Sequence, residues 1–74
     1  MRDTDEVLQE VYDERARQLA KWGEQRHDPA WWLVILAEEM GEVARAIFEG
    51  DTRGYREELI QVAAVAVAAA EPAI

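Results

Sequence analysis

Cysteine and serine are both absent from the 74 residues, proline occurs twice, and the four glycines stand apart at positions 23, 41, 50 and 54. Without cysteine there are no disulfides, no thiolate zinc sites and no thiol nucleophile. Without serine, serine-based covalent hydrolysis is excluded as well, and the scattered glycines make no Walker-type phosphate loop. Positive charge is also scarce: 8 Lys plus Arg face 16 carboxylates, for a formal net charge of −8. Such a chain does not attract polymeric nucleic acid or anionic lipid by its overall field. Small multiply charged anions are still reachable through bridging cations. Long hydrophobic runs are missing too. The longest uncharged stretch, residues 59–70, falls well short of the roughly 20 residues that cross a bilayer. Asp3, Asp5 and Glu6 stand where a secretory signal would carry its positive region, so a cytoplasmic protein is the default expectation.

What is present is apolar: half of the residues. Residues 1–74 make one domain, and a core of that size seldom leaves more than about 3–5 kcal/mol of net stability. An additional staple is therefore expected, and with disulfides excluded the choices are oligomerisation, tight helix packing or a metal held by oxygen ligands. There is no internal repeat or linker.

The pattern predicts an all-α protein: a three-helix antiparallel bundle protomer that assembles into a homo-oligomeric helical bundle. The first helix, about residues 4–22, opens on Asp3 as N-cap with Glu6 three residues on, and closes at Gly23. Leu8, Val11, Tyr12, Leu19 and Trp22 recur along it at spacings of three, four and seven. Arg15 and Gln18 sit along the same stripe, which requires either buried partners or a wet cleft. The second helix, about residues 29–49, is announced by Asp28-Pro29, a cap acid followed by proline at the first helical position. Leu33, Leu36, Met40, Val43, Ala44 and Ile47 form its broad apolar arc, with Glu38, Glu42, Arg45 and Glu49 opposite. Its start, residues 31–37, resembles a strand in isolation, but the cap and the continuing period favour helix.

The third helix, about residues 52–70, is capped by Asp51 or Thr52. Every residue from 62 to 70 is Val or Ala. A helix apolar all round needs partners all round, so a homodimer or homotetramer whose interface includes this helix is expected.

The acids are unevenly placed. Glu39 projects about 60° from Glu42 on a helical wheel, toward Trp32 and Val43 at the edge of the apolar arc, where an unpaired charge is costly. Glu39 and Glu42 are three apart on the second helix, and Glu58 and Gln61 are three apart on the third. Two such pairs on facing helices can enclose a hard cation, with Mg²⁺ the natural occupant and Mn²⁺ also fitting. The same glutamates equally describe a solvated helix face.

Glu38-Glu39-x-x-Glu42, followed by Glu58-x-x-Gln61, resembles the MazG-like all-α nucleoside triphosphate pyrophosphohydrolases, whose pattern is EExxE on one helix and ExxD on the next. Glu14-Arg15-x-Arg17-Gln18-x-x-Lys21-Trp22-Gly23-x-Gln25, with His27 after it, is similar to the N-terminal helix of phage and bacterial members. Tyr55 to Val65 is similar to their third-helix segment, so the likeness spans about residues 6–70. It implies Mg²⁺-dependent cleavage of a (deoxy)nucleoside triphosphate to monophosphate and pyrophosphate. The metal would be held by Glu39, Glu42, Glu58 and position 61, and Glu38 would be a further metal contact or would orient the attacking water. Gln61 departs from the family's aspartate, removing one anionic ligand, and many relatives continue beyond the point where Ile74 ends this chain. These two departures favour the alternative of a MazG-like helical oligomerisation or binding module with weakened or lost turnover. A more remote alternative, suggested only by charge, is an acidic decoy for a nucleic-acid-binding protein.

For substrate binding, Lys21, Arg17 and Arg26 are candidates for phosphates, and Trp22, His27, Trp31 and Trp32 for bordering a base, since aromatic faces stack on bases. The ordinary alternatives are core or interface roles for Trp22 and Trp32, a loop or cap role for His27, and pairing of Arg45 and Arg56 with neighbouring glutamates.

Overall fold

The computed structural model describes residues 3–71. The second proline, Pro72, the residues ahead of Asp3 and the chain end at Ile74 lie outside the described residues. Three helices form, α1 (Thr4–Trp22), α2 (Pro29–Phe48) and α3 (Thr52–Ala70), with no strand among the described residues. None of them is long and apolar enough to cross a membrane.

Each helix begins on an aspartate whose side chain satisfies a backbone N–H that the first turn leaves unpaired. Asp3 Oδ1 accepts from the Glu6 N–H at 2.9 Å, Asp28 Oδ1 from the Trp31 N–H at 2.9 Å, and Asp51 Oδ1 from the Gly54 N–H at 2.8 Å. Asp51 rather than Thr52 is therefore the third cap. The ends of the first two helices need a left-handed residue. Gly23 (φ 72°) and Gly50 (φ 71°) supply it, and the Gly23 N–H donates to the Leu19 carbonyl at 2.8 Å. Glu49, expected inside the second helix, is its C-cap.

α3 is the middle element. It packs against both α1 and α2, whereas α1 and α2 make no close approach to each other. The result is elongated, 37 × 26 × 21 Å. The Val/Ala stretch makes this possible, because small side chains let two helices close on a third. Ala64 has no exposed surface, and Val65 and Ala68 are buried beside it. Trp32 of α2 covers Val65 and Ala68, with Ile35, Leu36 and Ala69 around them. The expected all-round need for outside partners on the third helix is thus partly met within the chain, although Ala66, Val67 and Ala70 remain exposed.

The inward stripes are rotated from those expected. On α1 the buried residues are Val11, Glu14 and Gln18, while Leu8, Tyr12, Leu19 and Trp22 are exposed. On α2 they are Trp32, Val43 and Ala46, while Leu33, Met40, Ala44 and Ile47 lie open. The apolar arc of α2 is wider than one neighbouring helix covers, so contact with α3 selects one side of it. On α1, Gln18 turns inward to a partner on α3, Gln61, and the buried Glu14 beside it is paired with Arg17 and Gln18 of its own helix.

Two bidentate ion pairs tie α1 to the chain beyond it. Arg56 donates to both carboxylate oxygens of Glu10 at 2.8 and 2.7 Å, and Arg15 does the same to Glu71 at 3.0 and 2.6 Å. In each case the carboxylate partner raises the arginine pKa, chiefly through the hydrogen bond. Arg45 pairs with Glu49 on its own helix at 4.0 Å, as its spacing suggested, but the partner of Arg56 is on another helix.

Ala64→Leu is expected to destabilise the protein by about 1–3 kcal/mol, because the extra carbons have no space between α1 and α2. Ala20→Leu, at an exposed position of α1, should stay within about 0.5 kcal/mol. Chemical denaturation of the two variants checks the contrast, and equal midpoints would contradict a closed position at 64.

Candidate functional site

The polar groups concentrate where α2 and α1 flank α3. Glu39 is half-buried on α2, as its position on the wheel predicted, and Glu58 is half-buried on α3. Their carboxyl groups lie within hydrogen-bonding reach of each other. Burial is the main cause raising the Glu39 pKa above the ordinary carboxylate value, followed by the charges of Glu58, Glu42 and Glu38 and then by the hydrogen bond to Glu58. Glu38 and Glu42 are exposed and act on Glu39 through charge. Among the described residues, no three His, Cys, Asp or Glu side chains converge as a metal-holding group. Of the four expected residues, Glu39 and Glu58 come together, Glu42 acts on Glu39 through charge, and Gln61 lines the same cavity as Glu39.

Gln61 is engaged elsewhere. Its Oε1 accepts from Gln18 Nε2 at 3.3 Å, and the same Gln18 nitrogen lies 3.4 Å from Glu14 Oε2. Glu14 is only 5 % exposed, and Arg17, itself exposed, reaches in to form its ion pair. The hydrogen bond to Glu14 is the first cause raising the Arg17 pKa. A buried ladder thus runs from Glu14 through Gln18 to Gln61 and joins α1 to α3. Buried carboxylates and amides require such partners. Gln18 was singled out by its place on the α1 stripe. Glu14 was not, although its four-residue spacing from Gln18 and three-residue spacing from Val11 mark the same face.

Beside Glu39 the three helices leave a cavity of about 220 Å³, lined by Glu39, Gln61, Gln18, Arg15, Trp22 and Trp32 together with Gly23, Gln25, Ile35, Val65 and Ala68. Trp32 joins the core and the cavity wall at once. Trp22 stands at the end of α1, half-exposed, with Lys21 Nζ 4.8 Å from its ring centroid. Two of the proposed substrate contacts, Trp22 and Trp32, therefore line the cavity, and Lys21 lies against one wall. Arg17 does not line it. It borders a separate groove between α1 and α3 with Glu10, Glu14, Arg56 and Gln61. His27 packs edge-on against Trp32, with ring centroids 5.0 Å apart, and shares a shallow depression with Arg26 and Trp31.

Compared with known proteins, the chain matches no family model, no curated protein and no solved structure.

Because the folded protein raises the Glu39 pKa, it favours the protonated carboxyl. That contribution to stability is fully present below the unfolded pKa and is lost as pH rises through the raised value. Glu39→Gln mimics the neutral acid at every pH. In metal-free buffer its thermal midpoint should match that of the wild type in acid and exceed it increasingly as pH rises and the wild-type carboxyl must ionise beside Glu58. A difference independent of pH would contradict this crowding.

Proposed function

We propose that the chain is a MazG-like, Mg²⁺-dependent nucleotide pyrophosphohydrolase that cleaves a (deoxy)nucleoside triphosphate to monophosphate and pyrophosphate. The observation that carries this is the facing Glu39–Glu58 pair, half-buried at the junction of α2 and α3 and bordered by a cavity with aromatic and amide walls. Two carboxylates this close, with no ion pair to either among the described residues, suit a divalent ion better than a structural ion pair. The motif order along the sequence supports the same reading.

Glu39 and Glu58 would hold the metal, with Glu42 adding negative charge nearby. Bound there, Mg²⁺ or Mn²⁺ would supply charge neutralisation of the triphosphate and a more acidic water, which is how an acidic protein would accept an anionic substrate. Glu38, exposed and within Coulombic range of Glu39, orients the attacking water. The water oxygen bonds to the α-phosphorus as its proton passes to solvent, the bond to the α–β bridging oxygen breaks, and pyrophosphate leaves with that oxygen. Lys21, against the Trp22 ring that lines the cavity, is a candidate for a phosphate contact. Positioning and charge stabilisation supply most of the rate.

The protomer, an antiparallel three-helix bundle, assembles into a homodimer or homotetramer in the cytoplasm. Support for assembly comes from the open apolar faces. Leu33, Met40 and Ile47 recur at seven-residue intervals on α2, and Leu8, Tyr12 and Leu19 lie exposed on α1. One observation favours a second reading, a MazG-like binding module without turnover: Gln61 is neutral, and its oxygen is committed to Gln18.

Pyrophosphate release from a panel of ribo- and deoxynucleoside triphosphates is expected to require Mg²⁺. Glu39→Gln should abolish it with helical content unchanged, and silence across the whole panel transfers the assignment to the binding module.

Gln61→Asp is expected to tighten Mg²⁺ binding, measured by titration calorimetry, while lowering the thermal midpoint through loss of reach to Gln18. Unchanged or weaker affinity would remove position 61 from the metal site.

A further inference from the structure

The side of α2 that turns away from α3 carries no charge. Trp32, Val43 and Ala46 meet α3, and on the helical wheel the outward arc, about 140° wide, ends at Arg45 and Glu38 on its far edge. Three rows run along this arc. Leu33, Met40 and Ile47 form the row nearest α3, and Ala30, Ala37 and Ala44 form the middle one. Val34, Gly41 and Phe48 lie next to the charged edge. Every one of these residues is exposed, Phe48 by 92 %. Large and small apolar groups repeating every seven residues are the pattern of a helix that packs along another helix.

Gly41 is a second, independent sign. Glycine in the middle of a helix weakens it relative to alanine. The protomer gives no reason for one here: the backbone at position 41 has no positive φ, and an added Cβ would meet no atom within 4 Å. A glycine beside a row of alanines lets another backbone approach closely. That backbone must come from outside the protomer.

Charge selects the occupant and its direction. Glu38 and Arg45 stand seven residues apart on the same edge of the face, both exposed, and Arg45 reaches its own Glu49 only at 4.0 Å. A second copy laid parallel sets Glu38 against the partner's Glu38. Laid antiparallel, with a two-fold axis passing beside Gly41, it sets Glu38 against the partner's Arg45, and by symmetry the contact occurs twice. The same register matches the apolar rows by size. Met40 falls opposite the partner's Ala44, Ala37 opposite the partner's Ile47, and Gly41 opposite the partner's Gly41, where the backbones come closest. Val34 falls opposite the partner's Phe48, so the ring left bare in the protomer is covered. Opposed helix dipoles favour the same direction.

We propose that this face of α2 is a self-complementary interface, on which a second copy of the chain packs its own α2 antiparallel about a two-fold axis at Gly41. The pairing rests on the assembly reading above and gives it a face, a direction and a register; it does not depend on hydrolysis. It also brings the partner's Arg45 to the turn of α2 that carries Glu38 and Glu39.

Sedimentation equilibrium of the full chain at low ionic strength is expected to show a dimer or an even multiple of it. Glu38→Arg and Arg45→Glu, both at exposed positions, should each weaken association by about tenfold, and the two together should restore it, because the reversed charges again meet their opposites. The chain has no cysteine, so Gly41→Cys introduces a single thiol. Under mild oxidation it should form a disulfide-linked dimer about tenfold or more faster than Ala20→Cys on the exposed side of α1, since a disulfide requires Cα atoms within about 7 Å. A monomer at all concentrations overturns both the pairing and the assembly reading. An oligomer that neither single charge reversal weakens, or in which Gly41→Cys links no faster than Ala20→Cys, keeps assembly and overturns the α2 face. Loss of association in both single variants without recovery in the double variant overturns the antiparallel register.

Discussion

Close packing around Ala64 is the constraint on which the other features depend. Two helices approach α3 from different sides, and they do so because α3 offers little more than methyl and isopropyl groups along residues 62–70. A larger side chain at Ala64, which has no exposed surface, would separate one flank. Ala68 and Val65 give Trp32 a bed, and through Trp32 they set the position of the α2 start. The cavity follows from the same geometry. α1 and α2 both touch α3 without closing on each other, and the space left between them beside Glu39 is the candidate pocket.

Apolar contact does not fix α1 by itself, since Val11 is the only apolar residue of that helix that is buried. Polar groups complete the attachment. The Arg56–Glu10 and Arg15–Glu71 pairs, both bidentate, set its register along the chain, and the Gln18–Gln61 bond adds a third tie. Partly exposed ion pairs contribute little stability one at a time, but a forked arginine fixes geometry well. Specification by polar contacts also accounts for the open apolar residues on the far side of α1. The helix is turned by its charges, and Leu8, Tyr12 and Leu19 are left facing outward.

Glu39 and Glu58 stand out against this background of matched charge. Elsewhere the partly buried acids have arginine or amide partners, as with Glu10 and Glu14. Across the α2–α3 junction two acids meet each other, and the folded chain carries the electrostatic cost. Pairs of this kind are concentrated at sites that bind cations or move protons, because repulsion relieved by a ligand becomes binding energy.

Much of this was legible in the residues themselves. Asp3, Asp28, Asp51, Pro29, Gly23 and Gly50 mark the helix ends through local backbone chemistry, which needs no knowledge of the fold. The edge position of Glu39 could be read from the helical period, because angular position on one helix is a local property. Which side of a broad apolar arc turns inward was not local. α2 is apolar through Leu33, Met40 and Ile47 as well as through Trp32, Val43 and Ala46, and only contact with α3 chose the second set. The Arg56–Glu10 and Arg15–Glu71 pairs span 46 and 56 residues, separations over which sequence spacing says nothing about distance. The same limit applied to Gln61. From sequence it is a neutral substitute for an acid in a ligand pattern, and only the approach of α1 made it the partner of Gln18. The sequence by itself determined the three helices and their ends, because capping and periodicity act within a few residues. The tertiary structure decided which faces are covered, which acids meet and where the cavity lies, because those depend on how separate helices come together.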